Sequence, residues 1–196
     1  YCQLFLNNCI AFDYKNDLKL FAFLLPMEYV FEDFVFGFID KELEKVSAKA
    51  QRSDIYLDEE EAFNLKPDLW IKTEHKSLIA DTKYKIVYSD DKDPKKGISQ
   101  NDLYQMLAYA VRFKVEQIIL FYPNTVSQNQ ENETSLTIKD ALAGDKEILI
   151  NAFQLPIINR ELLSKPLKEK TDLSELFEPT KQDLKDKIKG ILIPLI

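Results

Sequence analysis

Between Lys66 and Tyr122, two short β-rich runs, one amphipathic helix and one apolar strand follow each other closely, and few folds accept that order. The runs Lys66–Lys72 and Ser77–Lys85 are separated only by the polar residues Thr73–Lys76, the spacing of a hairpin. Ser99–Phe113 sets Leu103, Met106, Leu107, Ala110 and Val111 on one helical stripe, with Ser99 as N-cap and Asp102 three residues on. Gln117–Tyr122 is apolar almost throughout and stops at Pro123-Asn124, as a buried strand does. Upstream, Glu28–Glu44 repeats Phe31, Phe34, Val35, Phe38 and Ile39 at three- and four-residue intervals and reads as a helix. Leu18–Met27 reads as a buried strand or the lead-in to that helix, and residues 46–61 as loop with a short strand. Downstream, Asn124–Thr134 reads as a polar loop, and Leu136–Ile138 and Ile148–Leu155 as strands. The order predicts a mixed α/β core, a central mixed sheet flanked by helices. From Asn159 the composition shifts to Lys, Glu, Asp and Leu around Pro166 and Pro179. The expected division is a core of residues 1–158 and a loosely packed, charged helical extension of 159–196.

Composition narrows the class. A chain of 196 residues suffices for one buried domain with an appendage, and 4 Gly with 8 Pro exclude collagen-like and Gly/Ser-linker classes. Apolar stretches such as Leu18–Met27 are too short or too interrupted to span a bilayer, and no leader pattern opens the sequence. A soluble, cytoplasmic protein is expected, and the initial Tyr1 suggests a piece of something longer. Cys2 and Cys9 cannot make a disulfide framework or a metal cluster by themselves and read as free thiols. Lys and Arg number 26 against 33 Asp and Glu, a net charge of −7, which argues against a simple nucleic-acid clamp. An enzyme stays possible, because catalytic carboxylates count as negative charge and a bound cation inverts it locally.

The chemistry concentrates on the predicted hairpin. Asp68 opens one strand directly after Pro67. Period-two alternation puts Asp81, Lys83 and Lys85 on one face of the next strand and Ala80, Thr82 and Tyr84 on the other. Pairing of the strands would bring Asp68 beside Asp81, and two adjacent carboxylates repel unless a cation lies between them. Oxygen ligands suit Mg²⁺. A Mg²⁺ (or Mn²⁺) held by Asp68, Asp81 and a strand carbonyl, taken as that of Thr82, would serve phosphodiester hydrolysis, with Lys83 positioning water or countering charge. Glu32, on the preceding helix, would complete the ligand shell directly or through water. Gln105 and Tyr109 share a helix face at i,i+4 and could touch the metal-bound water or the substrate backbone. Lys85 could contact a phosphate, although a second lysine at a strand edge is commonly only solubilising.

Plainer readings suit the other candidates. Lys92, Lys95 and Lys96 alternate with Asp90, Asp91 and Asp93 and read as a mobile polar loop. His75 has no second histidine to join it, Trp70 reads as a sheet-face aromatic, and Tyr104 as a packing residue.

Pro67-Asp68, twelve intervening residues and Asp81-Thr82-Lys83 match the PD-(D/E)XK nuclease signature, and Gln105-Met106-Leu107-Ala108-Tyr109 matches the QxxxY helix of many such enzymes. Three blocks resemble the nuclease domain of McrC, the cleavage subunit of McrBC-type modification-dependent restriction systems. They are Met27–Val35, Leu65–Ile71, and Asp81–Lys85 with Asn101–Ala110. The resemblance implies a restriction-endonuclease-like fold and a Mg²⁺-dependent DNA endonuclease. It also implies recruitment by an McrB-like AAA+ GTPase motor that recognises methylated cytosine. Lys85, Gln105 and Tyr109 would then lie along the DNA. The motor-contacting N-terminal region of McrC proteins has no visible counterpart, and the stretch after Asn124 adds nothing specific. A RecB-like repair nuclease of the same superfamily and a nuclease-like, non-catalytic scaffold are the alternatives.

Overall fold

The computed structural model describes residues 10–14, 18–22, 25–44, 46–50, 54–72, 77–127, 131–160 and 173–192. Cys2, Cys9, the connection Thr73–Lys76 with His75, and residues 161–172 of the expected extension lie outside the described residues.

The element order is β1 (Ile10–Tyr14), β2 (Leu18–Ala22), α1 (Met27–Glu42), β3 (Ser47–Ala50), β4 (Ile55–Tyr56), β5 (Asn64–Leu65), β6 (Leu69–Lys72) and β7 (Ser77–Thr82). There follow α2 (Gln100–Phe113), β8 (Gln117–Pro123), β9 (Glu133–Asp140), β10 (Lys146–Leu155) and α3 (Leu173–Leu192). Six strands form one sheet in the order β3-β6-β7-β8-β10-β9, while β1-β2 and β4-β5 make separate two-stranded ladders. β6 and β7 pair antiparallel with Leu69 opposite Ala80, as expected of a hairpin. β7 and β8 are parallel, and so are β8 and β10, whereas β9 returns antiparallel along β10. Parallel neighbours need a crossover, and α2 supplies it between β7 and β8.

The central strands are apolar on both faces because both faces are covered. Leu78 and Ala80 of β7 and Ile119 and Phe121 of β8 share a core with Phe31, Val35 and Ile39 of α1. The alternate residues Ile79, Ile118, Leu120 and Tyr122 share a second core with Met106, Tyr109, Ala110 and Phe113 of α2. The sheet thus lies between α1 and α3 on one side and α2 on the other. Trp70 packs on Phe113 with ring centroids 5.7 Å apart, the sheet-face role expected of it. Among the described residues no helix is long and apolar enough to cross a membrane.

Three expectations are corrected. The strand read as Ser77–Lys85 ends at Thr82, because beyond it only Lys83 N still donates to a strand carbonyl, Phe121 O at 2.9 Å. The loop read as mobile is knitted by its own aspartates. Asp90 Oδ1 accepts from Lys92 N at 2.9 Å, and Asp93 accepts from Lys95 N at 2.9 Å and from Gly97 N at 2.7 Å. Gly97 sits at φ +79°, where a Cβ would approach Val87 Cα to 2.9 Å, so only glycine lets this loop close onto the chain. Finally, α3, the described helix of the extension, is not loosely packed. Leu184, Ile188, Ile191 and Leu192 of α3 are buried in the α1-side core, and Lys181 and Lys185 reach Glu42 of α1 at 2.8 and 3.5 Å. Its lysines and aspartates occupy the solvent-facing side of an amphipathic helix, which composition alone does not reveal.

Ile188→Ala is therefore expected to cost roughly 2–4 kcal/mol in urea unfolding, the range of a buried aliphatic truncation. A loss under about 0.5 kcal/mol, the level of a surface substitution, would restore the loosely packed reading.

Candidate active site

The β6-β7 register fixes the first acidic pair. With Leu69 opposite Ala80, Asp68 falls opposite Asp81, and opposed residues of an antiparallel pair share a face. Asp68 Oδ2 accepts both the backbone N–H and the hydroxyl of Thr82, each at 2.7 Å. That clip closes the end of β7 where its ladder with β6 runs out. Asp81 follows the Ile79 alternation toward α2 and is fully buried.

Lys83 completes the centre. Its ammonium is ion-paired with Asp81 Oδ2 and donates to Gln105 Oε1 at 3.1 Å. Gln105 Nε2 donates in turn to the Tyr109 hydroxyl at 2.8 Å, and that hydroxyl donates to Lys66 O at 3.0 Å. One polar chain therefore runs from Asp81 through Lys83 and two helix residues to the backbone just before Pro67-Asp68. Spacing placed Gln105 and Tyr109 on one helix face, but the contacts of both are with the protein's own site. Lys85 turns elsewhere: both Asp102 carboxylate oxygens accept from its ammonium at 2.7 Å. Asp102 and the Lys66 carbonyl were not foreseen, since Asp102 had been read only for its place beside the N-cap.

Glu32 is buried on α1, whose apolar stripe joins the opposite core from α2. Among the described residues no three acidic, histidine or cysteine side chains are grouped so as to hold a metal ion. The structure brings together Asp68, Asp81, Thr82, Lys83, Gln105 and Tyr109; Glu32 does not join them as a third acid.

The electrostatics follow from burial. Lack of solvent pushes the Asp81 carboxyl up to about 7, and the neighbouring Asp68 charge adds to this against the opposing pull of Lys83. For Lys83, burial disfavours the ammonium, but the charges of Asp81, Asp68 and Asp102 outweigh it and hold its pKa above the ordinary value. Burial, then the Asp81 charge, raises the Tyr109 hydroxyl, so it stays protonated and keeps donating. Asp81 Oδ1 is buried and meets no hydrogen-bond donor. A buried carboxylate oxygen without a donor, facing a second carboxylate, suits a hard divalent cation.

Over residues 1–123 the chain matches the family model described as McrBC 5-methylcytosine restriction system component. No curated protein matches it. Among solved structures it is similar to a chain of the refined half-complex from the tetradecameric assembly of Thermococcus gammatolerans McrB AAA+ hexamers with bound McrC. That likeness has 14% identity and a TM-score of 0.56, and it covers 87% of this chain and 34% of the other. The chain thus spans about a third of that neighbour's length. At such identity the likeness speaks for the mixed α/β fold.

The buried acid has a measurable consequence. A carboxyl that titrates near 7 in the fold holds its proton more tightly there than in the unfolded chain. Its stabilising contribution is complete below about pH 4 and is lost as the pH rises through about 7. In metal-free buffer, stability is expected to fall across that window by roughly 2–4 kcal/mol, and Asp81→Asn is expected to remove the fall. Urea titrations at several pH values check this; parallel slopes for the two proteins would contradict it.

Proposed function

Because the chain belongs to the family of McrBC 5-methylcytosine restriction system components, we propose that it is the DNA-cleaving module of an McrC-like subunit. In this reading it is a metal-dependent endonuclease of the PD-(D/E)XK type on a restriction-endonuclease-like core. The supporting observation is the Asp81–Lys83 ion pair at the end of β7, with Asp68 opposite and Asp81 Oδ1 lacking a donor. A structural ion pair would not need a second carboxylate brought up against the first, since that raises the cost of charging both.

Asp68 and Asp81, with the carbonyl of Thr82, would hold Mg²⁺, and Mn²⁺ could take its place. When bound, the cation polarises a phosphate oxygen and acidifies water. Lys83, held protonated by the acids around it, faces the charge that grows on the phosphate during displacement. Gln105 fixes that ammonium from α2, and Tyr109 fixes Gln105 and the Lys66 backbone. Glu32, which is not grouped with Asp68 and Asp81, is given no ligand role. The end of a parallel β-α-β crossover is also where open α/β sheets commonly expose a ligand crevice.

DNA would be delivered rather than captured. The net charge of −7 disfavours tight stand-alone binding to a polyanion. The solved neighbour contains McrB AAA+ hexamers with bound McrC. A comparable GTP-driven motor that selects methylated DNA is the proposed partner here.

Plasmid DNA incubated with the protein, its motor, GTP and Mg²⁺ is expected to be cleaved. Asp68→Ala, Asp81→Ala and Lys83→Ala are each expected to lower the rate by about 10²-fold or more, the scale of losing a charge-stabilising group. Mg²⁺ alone is expected to raise the melting temperature at pH 8 for the wild type but not for Asp81→Asn. Undiminished cleavage by folded Asp81→Ala would rule out the assignment.

A further inference from the structure

Lys85 stands two residues beyond Lys83, and at first sight it is a free cation for a DNA phosphate. Its surroundings differ from that. Lys85 N donates to Lys83 O at 2.9 Å, a tight turn that sends the two side chains to different partners. The Lys83 ammonium turns to Asp81, and that of Lys85 turns to both oxygens of Asp102 at 2.7 Å. Asp102 is buried in the first turn of α2, and its backbone N–H donates to the Ser99 cap at 3.2 Å. Gln105, which holds the Lys83 ammonium, lies three residues farther on, about one helical turn.

We propose that Lys85 and Asp102 form a positioning pair that sets the rotation and axial register of α2, so that Gln105 meets the Lys83 ammonium. The apolar contacts of α2 hold it against the sheet, but they are non-directional and choose no partner for the Lys83 ammonium. The connection between β7 and α2 runs from Lys83 to Ser99 and is itself anchored by Val87, Tyr88 and Ile98 in the α2-side core, but it carries no contact that aims Gln105. Two polar ties one turn apart supply that direction at the start of the helix, Lys85 to Asp102 and Lys83 to Gln105, while Tyr109 on Lys66 O holds it farther on. The pairing has an electrostatic side as well. The Asp102 charge acts on Asp81 and on Lys83, and the Lys85 ammonium lying against it offsets that negative charge.

This inference rests on the nuclease reading for its catalytic consequence but not for its structural one, so two readouts are needed. The first is a double-mutant cycle of cleavage with Lys85→Met, Asp102→Asn and the combination, in the protein assembled with its motor. Each single variant is expected to lower kcat ten-fold or more with KM within about two-fold. The double variant should be no slower than the worse single, and the salt dependence of DNA binding should stay unchanged. Lys85→Arg is expected to keep most of kcat. If Lys85 instead contacts a phosphate, Lys85→Met raises KM and lowers the salt slope by about one, while Asp102→Asn leaves kcat untouched; that result overturns the proposal.

The second readout needs no activity. The side-chain amide signals of Gln105, assigned by their loss in Gln105→Leu, are expected to shift in both single variants and to stay close to wild type in Lys85→Arg. Unmoved signals overturn the proposal even if the chain cleaves nothing. Absent cleavage with shifted signals would sink the nuclease reading and leave the positioning pair standing. Asp102→Asn is nearly isosteric and removes the charge that holds the Lys85 ammonium, so it serves if Lys85→Met fails to fold.

Discussion

A carboxylate without solvent is the constraint from which the rest of the site follows. Asp81 is fully buried between the sheet and α2, and burial, with the Asp68 charge adding to it and Lys83 opposing, pushes its carboxyl up to about 7. A group in that state must be neutral, paired or bound to a cation. Lys83 provides the pairing on one oxygen, and the other meets no donor. Asp68 makes the position costlier still, yet it is held in place by two hydrogen bonds from Thr82. A fold optimised only for stability would replace at least one of these acids.

The architecture brings these groups together by ordinary means. A hairpin register sets the acids opposite each other, and the crossover from β7 to β8 brings α2 across the same face. The helix then serves two ends of the site at once. Gln105 reaches the strand that carries Lys83, and Tyr109 reaches the backbone ahead of Asp68. α1 and α3 cover the opposite face with an apolar core, rimmed by Lys181 and Lys185 on Glu42 and by Lys187 near Glu133. The α2 face carries the polar centre together with a second apolar core, and burial on both faces supports that centre within a marginal stability of ~5–15 kcal/mol.

The sequence carried the central elements because their patterns are local. Helix α2, its Ser99 cap and the apolar run of β8 follow from spacing and stand where expected, but the buried face of α2 is rotated from the expected stripe, with Val111 exposed and Tyr109 and Phe113 buried. The alternation that put Lys83 on the Asp81 face held as well, because the ladder persists through the Lys83 amide. It failed for Lys85, since the tight turn after Lys83 leaves no local mark that alternation detects. Nor could spacing show that Lys85 meets Asp102 across seventeen residues, or that Tyr109 meets the Lys66 carbonyl. These are tertiary contacts between side chains with several plausible partners. α3 was misjudged because its charged residues dominate the composition while the buried leucine and isoleucine positions are few and regularly spaced.

The central claim is that two facing carboxylates form a cation site beside a catalytic lysine. Anomalous scattering from crystals soaked in Mn²⁺ tests it most directly. The account calls for one strong peak between Asp68 and Asp81, absent from Asp81→Asn crystals grown in the same form. Manganese bound only elsewhere, or nowhere, with both carboxylates ordered as described would contradict it.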